Sequence, residues 1–226
     1  MPLFLLIETS TTVCSVALSR GAEILALKEI NNGYAHAEHL TIFCEDVLRE
    51  AGVSFAQLDA VGVSKGPGSY TGLRIGMSAA KGFCFGLNIP LIAVGTLNAM
   101  AAGMRSETHP GELLCPMIDA RRMEVYTALF DAEGSCLSEA EAKIMDETGF
   151  RDLLEKQVIV FGGDGMPKCR ELLAASPQAR FSTAPVPSAI HLAQIVQKRF
   201  TEKTWDDLAY CEPFYLKNFV AGKKKM

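Results

Sequence analysis

The chain has 226 residues, 49% apolar and 21% charged, with a net charge of -4 and an isoelectric point near 5.6. That is enough apolar material for one large domain or two small lobes, without the strong basic excess of a protein that grips nucleic acid unaided. Seven cysteines with no CxxC pair argue against a disulfide framework or a zinc site and for reduced thiols in the cytoplasm; the short apolar opening, ended by Glu8, is no signal peptide, and no run is long enough to cross a bilayer.

In chain order, Leu3–Ile7 reads as a buried strand and Glu8-Thr9-Ser10-Thr11-Thr12 as a polar turn. Val13–Leu18 and Ile24–Ile30 complete a three-stranded meander. His36–Ala51 is an amphipathic helix, with Leu40, Phe43, Cys44, Val47 and Leu48 at helical spacing and Gly52 as its stop. Val61–Ser64 is a fourth strand. Gly66, Pro67 and Gly68 turn it into a helix over Tyr70–Leu87, which Ser69 or Thr71 can cap and Asn88 and Pro90 end. A fifth strand, Leu91–Val94, and a helix from Thr96 to Met104 follow. The order β-β-β-α-β-α-β-α predicts a mixed sheet with helices on its faces.

Arg105–Gly111 reads as a linker, after which a less regular pattern begins. Leu113–Ile118, Met123–Phe130 and Val158–Phe161 read as strands, and Ala140–Met145 as extended. Thr148–Glu155 and Pro167–Ala175 read as short helices, and Ser188 can cap a long helix to Lys203. The tail from Trp205 is left unassigned, and Lys223–Lys225 reads as a solvated basic run. The expected class is α/β with two lobes, residues 1–104 and 105–226, the tail being free to return to the first.

The Tyr70–Leu87 helix is unusual in carrying Gly72, Gly76, Gly82 and Gly86. Each interior glycine costs roughly 1 kcal/mol against alanine, so a close approach must offset the loss. Packing within its own lobe, a partner helix, and a phosphate on the helix amino end are the three candidates.

The motifs for chemistry are incomplete. Gly72 is followed by Leu73, which excludes GxxxxGK[ST], and Thr71 stands where GxGxxG needs its third glycine. His36 and His39 are three apart without the order of HExxH. Gly62-Val63-Ser64-Lys65-Gly66 matches G-x-S-x-G, but Pro67 and Gly68 delay the helix that a nucleophile elbow needs. The hydroxyls of Thr9–Thr12 beside Glu8 could wrap a phosphate, and Gly162–Gly165 lies where an α/β fold could place a nucleotide.

Several segments together resemble one family. They are Ile7-Glu8-Thr9-Ser10 with Cys14–Leu18, His36-Ala37-Glu38-His39-Leu40, and the run from Gly66 to Gly76. Ile118-Asp119-Ala120-Arg121 with Glu124-Val125-Tyr126, and Glu212-Pro213-Phe214-Tyr215-Leu216, complete the set. Over essentially the whole chain they resemble the TsaB (YeaZ) family of the actin-like ATPase (ASKHA) superfamily. The resemblance implies two actin-like, ribonuclease H-like lobes, each a mixed sheet with helices on its faces.

The resemblance also implies a non-catalytic subunit that pairs with TsaD and recruits TsaE for threonylcarbamoyl transfer to the adenosine next to the tRNA anticodon. tRNA would be met only through the complex, and the isolated chain would form a homodimer. The interface would use His36, His39, Leu40, Phe43 and Val47 on the first helix. On the second it would use Gly72, Ile75, Gly76, Ala79, Ala80 and Phe83. Glu8, Thr9, Ser10, Thr11, Gly163 and Gly165 would be the vestige of a nucleotide site, with no metal site, and ATP or ADP only at the partner boundary. Glu8 stands where actin-like ATPases often have aspartate. The competing readings are a stand-alone ATPase or small-molecule kinase, and a hydrolase.

Overall fold

The computed structural model describes residues 1–33, 35–146, 148–184 and 187–217; the Lys223–Lys225 run lies outside them. The first sheet has the order β3-β2-β1-β4-β5. Its strands are β1 (Leu3–Glu8), β2 (Val13–Arg20), β3 (Glu23–Asn31), β4 (Ala60–Gly66) and β5 (Leu91–Gly95). β1 pairs antiparallel with β2 and parallel with β4. It is buried at every position because both faces of the sheet are covered, which is why it reads as a continuous apolar run.

Alternate residues of β1 serve different cores. Leu3, Leu5 and Ile7 pack with Leu40, Cys44 and Val47 of α1 (His36–Glu50) and with Met77, Ala80 and Cys84 of α2 (Tyr70–Leu87). On the other face, Phe4 and Leu6 pack with Ala99 of α3 (Thr96–Met104) and with Leu192, Ala193 and Val196. That last group belongs to the segment expected as one long helix after Ser188. It is a 3-10 turn, Ala189–Leu192, leading into a helix over Ala193–Thr201. Ser188 makes no side-chain cap; the buried Ser15 Oγ accepts from the Ala189 amide instead, at 2.9 Å.

The second sheet has the order β10-β9-β6-β7-β8. Its strands are β6 (Leu113–Asp119), β7 (Glu124–Thr127), β8 (Glu141–Ile144), β9 (Ile159–Gly162) and β10 (Ala179–Phe181). β7 stops at Thr127 rather than Phe130, and Phe130 instead bridges Leu114. β10 was not expected from the sequence; it is three residues that pair with β9 after α5 (Arg170–Leu173), itself preceded by α4 (Arg151–Leu154). The helix over Ala193–Thr201 completes the set as α6. α3 joins the lobes, since its Leu97, Met100, Ala101 and Met104 pack on Leu114, Ile118, Phe130 and Val160 of the second sheet. Asn98 is the exposed position of α3; the rest of the helix is buried or half-buried, which is why it reads as mostly apolar.

α2 is capped by Ser69, whose Oγ accepts from the Gly72 amide at 3.3 Å, and ends at Asn88 in the left-handed region. Its glycines divide. A Cβ at Gly72 would lie 2.1 Å from the Thr9 carbonyl oxygen, and one at Gly76 2.2 Å from Thr9 Oγ1. At Gly82 and Gly86 nothing lies within 4 Å. At about 100° per residue, the second pair sits about 80° around the axis from the first. The first pair is sealed inside its own lobe; the second is open.

Gly72→Ala and Gly76→Ala are therefore expected to lose about 1–3 kcal/mol through overpacking. Gly82→Ala should gain up to about 1 kcal/mol from helix propensity. Urea denaturation with unchanged slopes and opposite midpoint shifts checks both; equal shifts at all three positions would contradict the division.

Candidate functional site

The turn between β1 and β2 is the best-connected polar element of the first lobe. Glu8 is fully buried. Its Oε1 accepts from the Ser10 amide at 2.6 Å and from Ser64 Oγ at 2.9 Å, while Oε2 has no partner among the described residues. Burial pushes its carboxyl pKa upward against those hydrogen bonds, with the charge of Asp164 adding a little. Ser64 is therefore a buried strand residue bonded to Glu8, not an exposed nucleophile at a helix start.

Thr9 Oγ1 donates to the Gly72 carbonyl at 2.8 Å, and Ser10 O accepts from the Ser69 amide at 2.6 Å. His36 Nε2 lies 2.9 Å from Thr11 O. Burial lowers the His36 pKa, so the ring is neutral near pH 7 and donates through Nε2 to that carbonyl. The turn is thus tied to α1, α2 and the loop before α2.

A cleft of about 650 Å³ opens beside this turn. It is lined by Ser10–Thr12, by Ser69 and Tyr70, by Asp119–Arg121 after β6, and by Asp164 and Tyr215. Arg121 and Arg122 both hold φ in the left-handed region, at 69° and 50°. Asp164 Oδ1 accepts from the Asp119 amide at 3.3 Å. Burial first, and the Asp119 charge after it, raise the Asp164 carboxyl to about 6.

A nucleotide's phosphates would need free backbone amides here. The amides of Ser10, Val13, Ser69, Asp119, Arg121 and Gly165 are already bonded within the protein. Gly163 and Gly165 are glycines for packing, since a Cβ would meet Met117 O at 2.3 Å and Ile118 C at 2.8 Å respectively. Burial raises the carboxyl pKa of both Glu8 and Asp164, that of Asp164 to about 6. Among the described residues no three His, Cys, Asp or Glu side chains are grouped to hold a metal ion.

The expected interface residues fall into two groups. His36, Leu40, Val47, Gly72, Gly76 and Ala80 are buried within their own lobe. Placing them on a docking surface is corrected: α1 and α2 use these positions to cover the first sheet and the turn at Thr9. His39, Phe43, Ile75, Ala79 and Phe83 are half-buried, and His39 stacks on Phe43 at 5.4 Å.

The open surface of the two helices includes residues not singled out from the sequence. Phe85 is 82% exposed and Ile42 52%, and Gly82 and Gly86 flank Phe85. The signal was available. Leu73, Met77, Ala80 and Cys84 fix the core side of α2, and Gly82 and Gly86 lie opposite it.

The family profile described as "TsaD: tRNA N6-adenosine threonylcarbamoyltransferase" matches residues 31–217. The chain is 32% identical to the "tRNA threonylcarbamoyladenosine biosynthesis protein TsaB" of Escherichia coli, over 97% of this chain and 96% of that one. The protein of that description from Haemophilus influenzae is 29% identical over 97% and 95%. Among solved structures, "YeaZ from Pseudomonas aeruginosa" superposes with a TM-score of 0.77 at 25% identity, covering 96% of this chain and 100% of that one. The "Activator of the 2-Hydroxyisocaproyl-CoA Dehydratase from Clostridium difficile with bound ADPNP" gives 0.56 at 10% identity, over 97% and 100%, a likeness of fold alone. The two lobes are actin-like.

Asp164 binds its proton more tightly in the folded protein than in the unfolded chain. Its contribution to stability is therefore full below the ordinary carboxylate range and is lost as pH rises through about 6. Asp164→Asn removes that contribution. From about pH 4 to 7 the urea midpoint of the wild type should fall relative to that of the variant; parallel curves would mean that Asp164 is not perturbed.

Proposed function

The chain belongs to the TsaB family, and from that premise we propose that it is the non-catalytic scaffold subunit of a tRNA threonylcarbamoyladenosine-forming complex, docking on a TsaD-type subunit. The observation that carries the reading is the outer side of α2. There Phe85 is 82% exposed between two glycines with nothing within 4 Å. Exposed interior glycines cost helix stability, roughly 1 kcal/mol each. A large aromatic beside bare backbone is what a closely approaching partner helix would use.

In this reading the interface is centred further along α2 than the Gly72–Gly76 pair. Gly82, Phe85 and Gly86 form its middle, with the half-buried Ile75, Ala79 and Phe83, and with Ile42, Phe43 and His39 of α1. The same surface would serve self-association of the isolated chain, since it would otherwise stay wet. TsaE recruitment, contact with tRNA only through the complex and a cytoplasmic location belong to the same reading. No helix among the described residues is long and apolar enough to cross a membrane. The subunit binds no nucleotide alone; ATP or ADP at the subunit boundary would be held by groups of the partner.

Phe85→Asp and Gly86→Arg should weaken co-elution with the cognate TsaD-type subunit at least tenfold. They should abolish threonylcarbamoyl transfer to tRNA in a reconstituted assay, with an unchanged circular dichroism spectrum. Full co-elution of both folded variants would sink this interface. Steady ATP hydrolysis by the isolated chain, lost in Glu8→Gln, would overturn the scaffold role.

A further inference from the structure

Residues 205–217 run from the edge of β5 back along α2 and across to the second lobe. Asp206 starts the run: its amide donates to Leu91 O at 2.9 Å, and its Oδ2 accepts from the Ala93 amide at 2.8 Å and pairs with Arg199 at 3.1 Å. Halfway along, Lys81 Nζ of α2 donates to Ala209 O and Cys211 O, at 3.0 and 3.1 Å. The Phe214 amide then donates to Lys65 O at 2.6 Å. The Tyr215 ring stacks 4.8 Å from that of Tyr70, and its hydroxyl lies 3.4 Å from Tyr70 O. Finally Lys217 pairs with Glu124 of β7, in the other lobe.

Two features set this segment apart from a tail that merely lies down. First, Gly66 is shaped for it. Its φ is +115°, and a Cβ there would lie 2.2 Å from Phe214 O. The first glycine of the loop before α2 thus admits the backbone of this segment. Second, the segment lies at the surface, with Tyr210 84% exposed and Phe214 46%. Main-chain bonds, the Asp206 carboxylate, the packing of Leu208 and Cys211 on the first core and the Tyr70–Tyr215 contact hold it on the first lobe, and the Lys217–Glu124 pair links it to the second. Such a segment can open without unfolding the core.

Its position gives it a consequence. Tyr215, Leu216 and Lys217 line the cleft together with Ser69 and Tyr70 from the start of α2 and with Asp119–Arg121 and Tyr126 of the second lobe. The lobes meet at α3 through an apolar contact; this segment is a second, polar tether at the cleft. We propose that residues 205–217 are a strap that couples the first turn of α2 to the second lobe, so that the cleft cannot widen without releasing that turn. This holds whatever docks on the outer half of α2, and it makes the pose of α2 answer to the position of the second lobe.

Hydrogen–deuterium exchange on the full chain tests it. Lys217→Glu places like charges opposite each other at the point where the strap meets the second lobe, and Tyr215→Ala removes the stack on Tyr70. Both should speed exchange at least tenfold in residues 66–73 and in residues 119–126, with β1 and β2 unchanged. Gly66→Ala, which lifts the strap from the other end, should do the same; if it does not fold, the first two variants decide. Faster exchange confined to residues 212–217, or none, would overturn the coupling.

Discussion

The backbone of α2 lies against Thr9 so closely that no side chain fits between them at positions 72 and 76. Thr9 Oγ1 donates to the Gly72 carbonyl, and the glycines leave room for the turn to approach. Two glycines in a helix interior lose roughly 1 kcal/mol each against alanine. That loss is offset locally, because the approach lets Ser69 bond Ser10 O and lets His36 reach Thr11 O. The contact sets the height and rotation of α2 on the sheet, and so which of its residues are core and which are surface.

One contact thereby decides two properties. In the turn the Ser10 amide donates to Glu8 and the Val13 amide to Thr11 Oγ1, the Ser10 carbonyl accepts from the Ser69 amide of the loop before α2, and the acid accepts from Ser64 on the neighbouring strand. At the same time, with Leu73, Met77, Ala80 and Cys84 held toward the core, helical rotation turns Gly82, Phe85 and Gly86 outward. The bonding of the turn and the outward side of α2 follow from the same placement of one helix.

Much of the first lobe was legible in the sequence. β1 to β5 and α1 to α3 follow from runs and periodicities that a covered sheet imposes. The glycines of α2 were legible as a signal, but spacing alone treats Gly72–Gly76 and Gly82–Gly86 alike. The two pairs separate only when their angles are measured from the apolar side of the helix. The carboxyl of Glu8 was legible as a residue near a turn but not as a buried acid bonded to Ser64, because that bond spans 56 positions. In the second lobe β10 and the end of β7 were illegible: three-residue pairings and single bridges are set by the neighbour they meet, and carry no period of their own.

The irregularity of the second lobe has a structural source. The last described helix, α6, which chain order would assign to it, packs instead on the first sheet, where Val196 and the preceding Leu192 sit against Phe4 and Leu6. The first sheet thus has both faces covered by helices, α1 and α2 on one and α3 and α6 on the other, while the second is flanked by α3 and by short turns and helices such as α4 and α5. Burial per residue is lower in a small, thinly covered lobe, so its position depends more on what ties it to its neighbour. Two described ties bear on the cleft: the apolar seat of α3, and residues 205–217, whose bonds are directional. A strap that meets the first turn of α2 at Tyr70 and the lighter lobe at Glu124 is placed to pass a shift of that lobe to the helix.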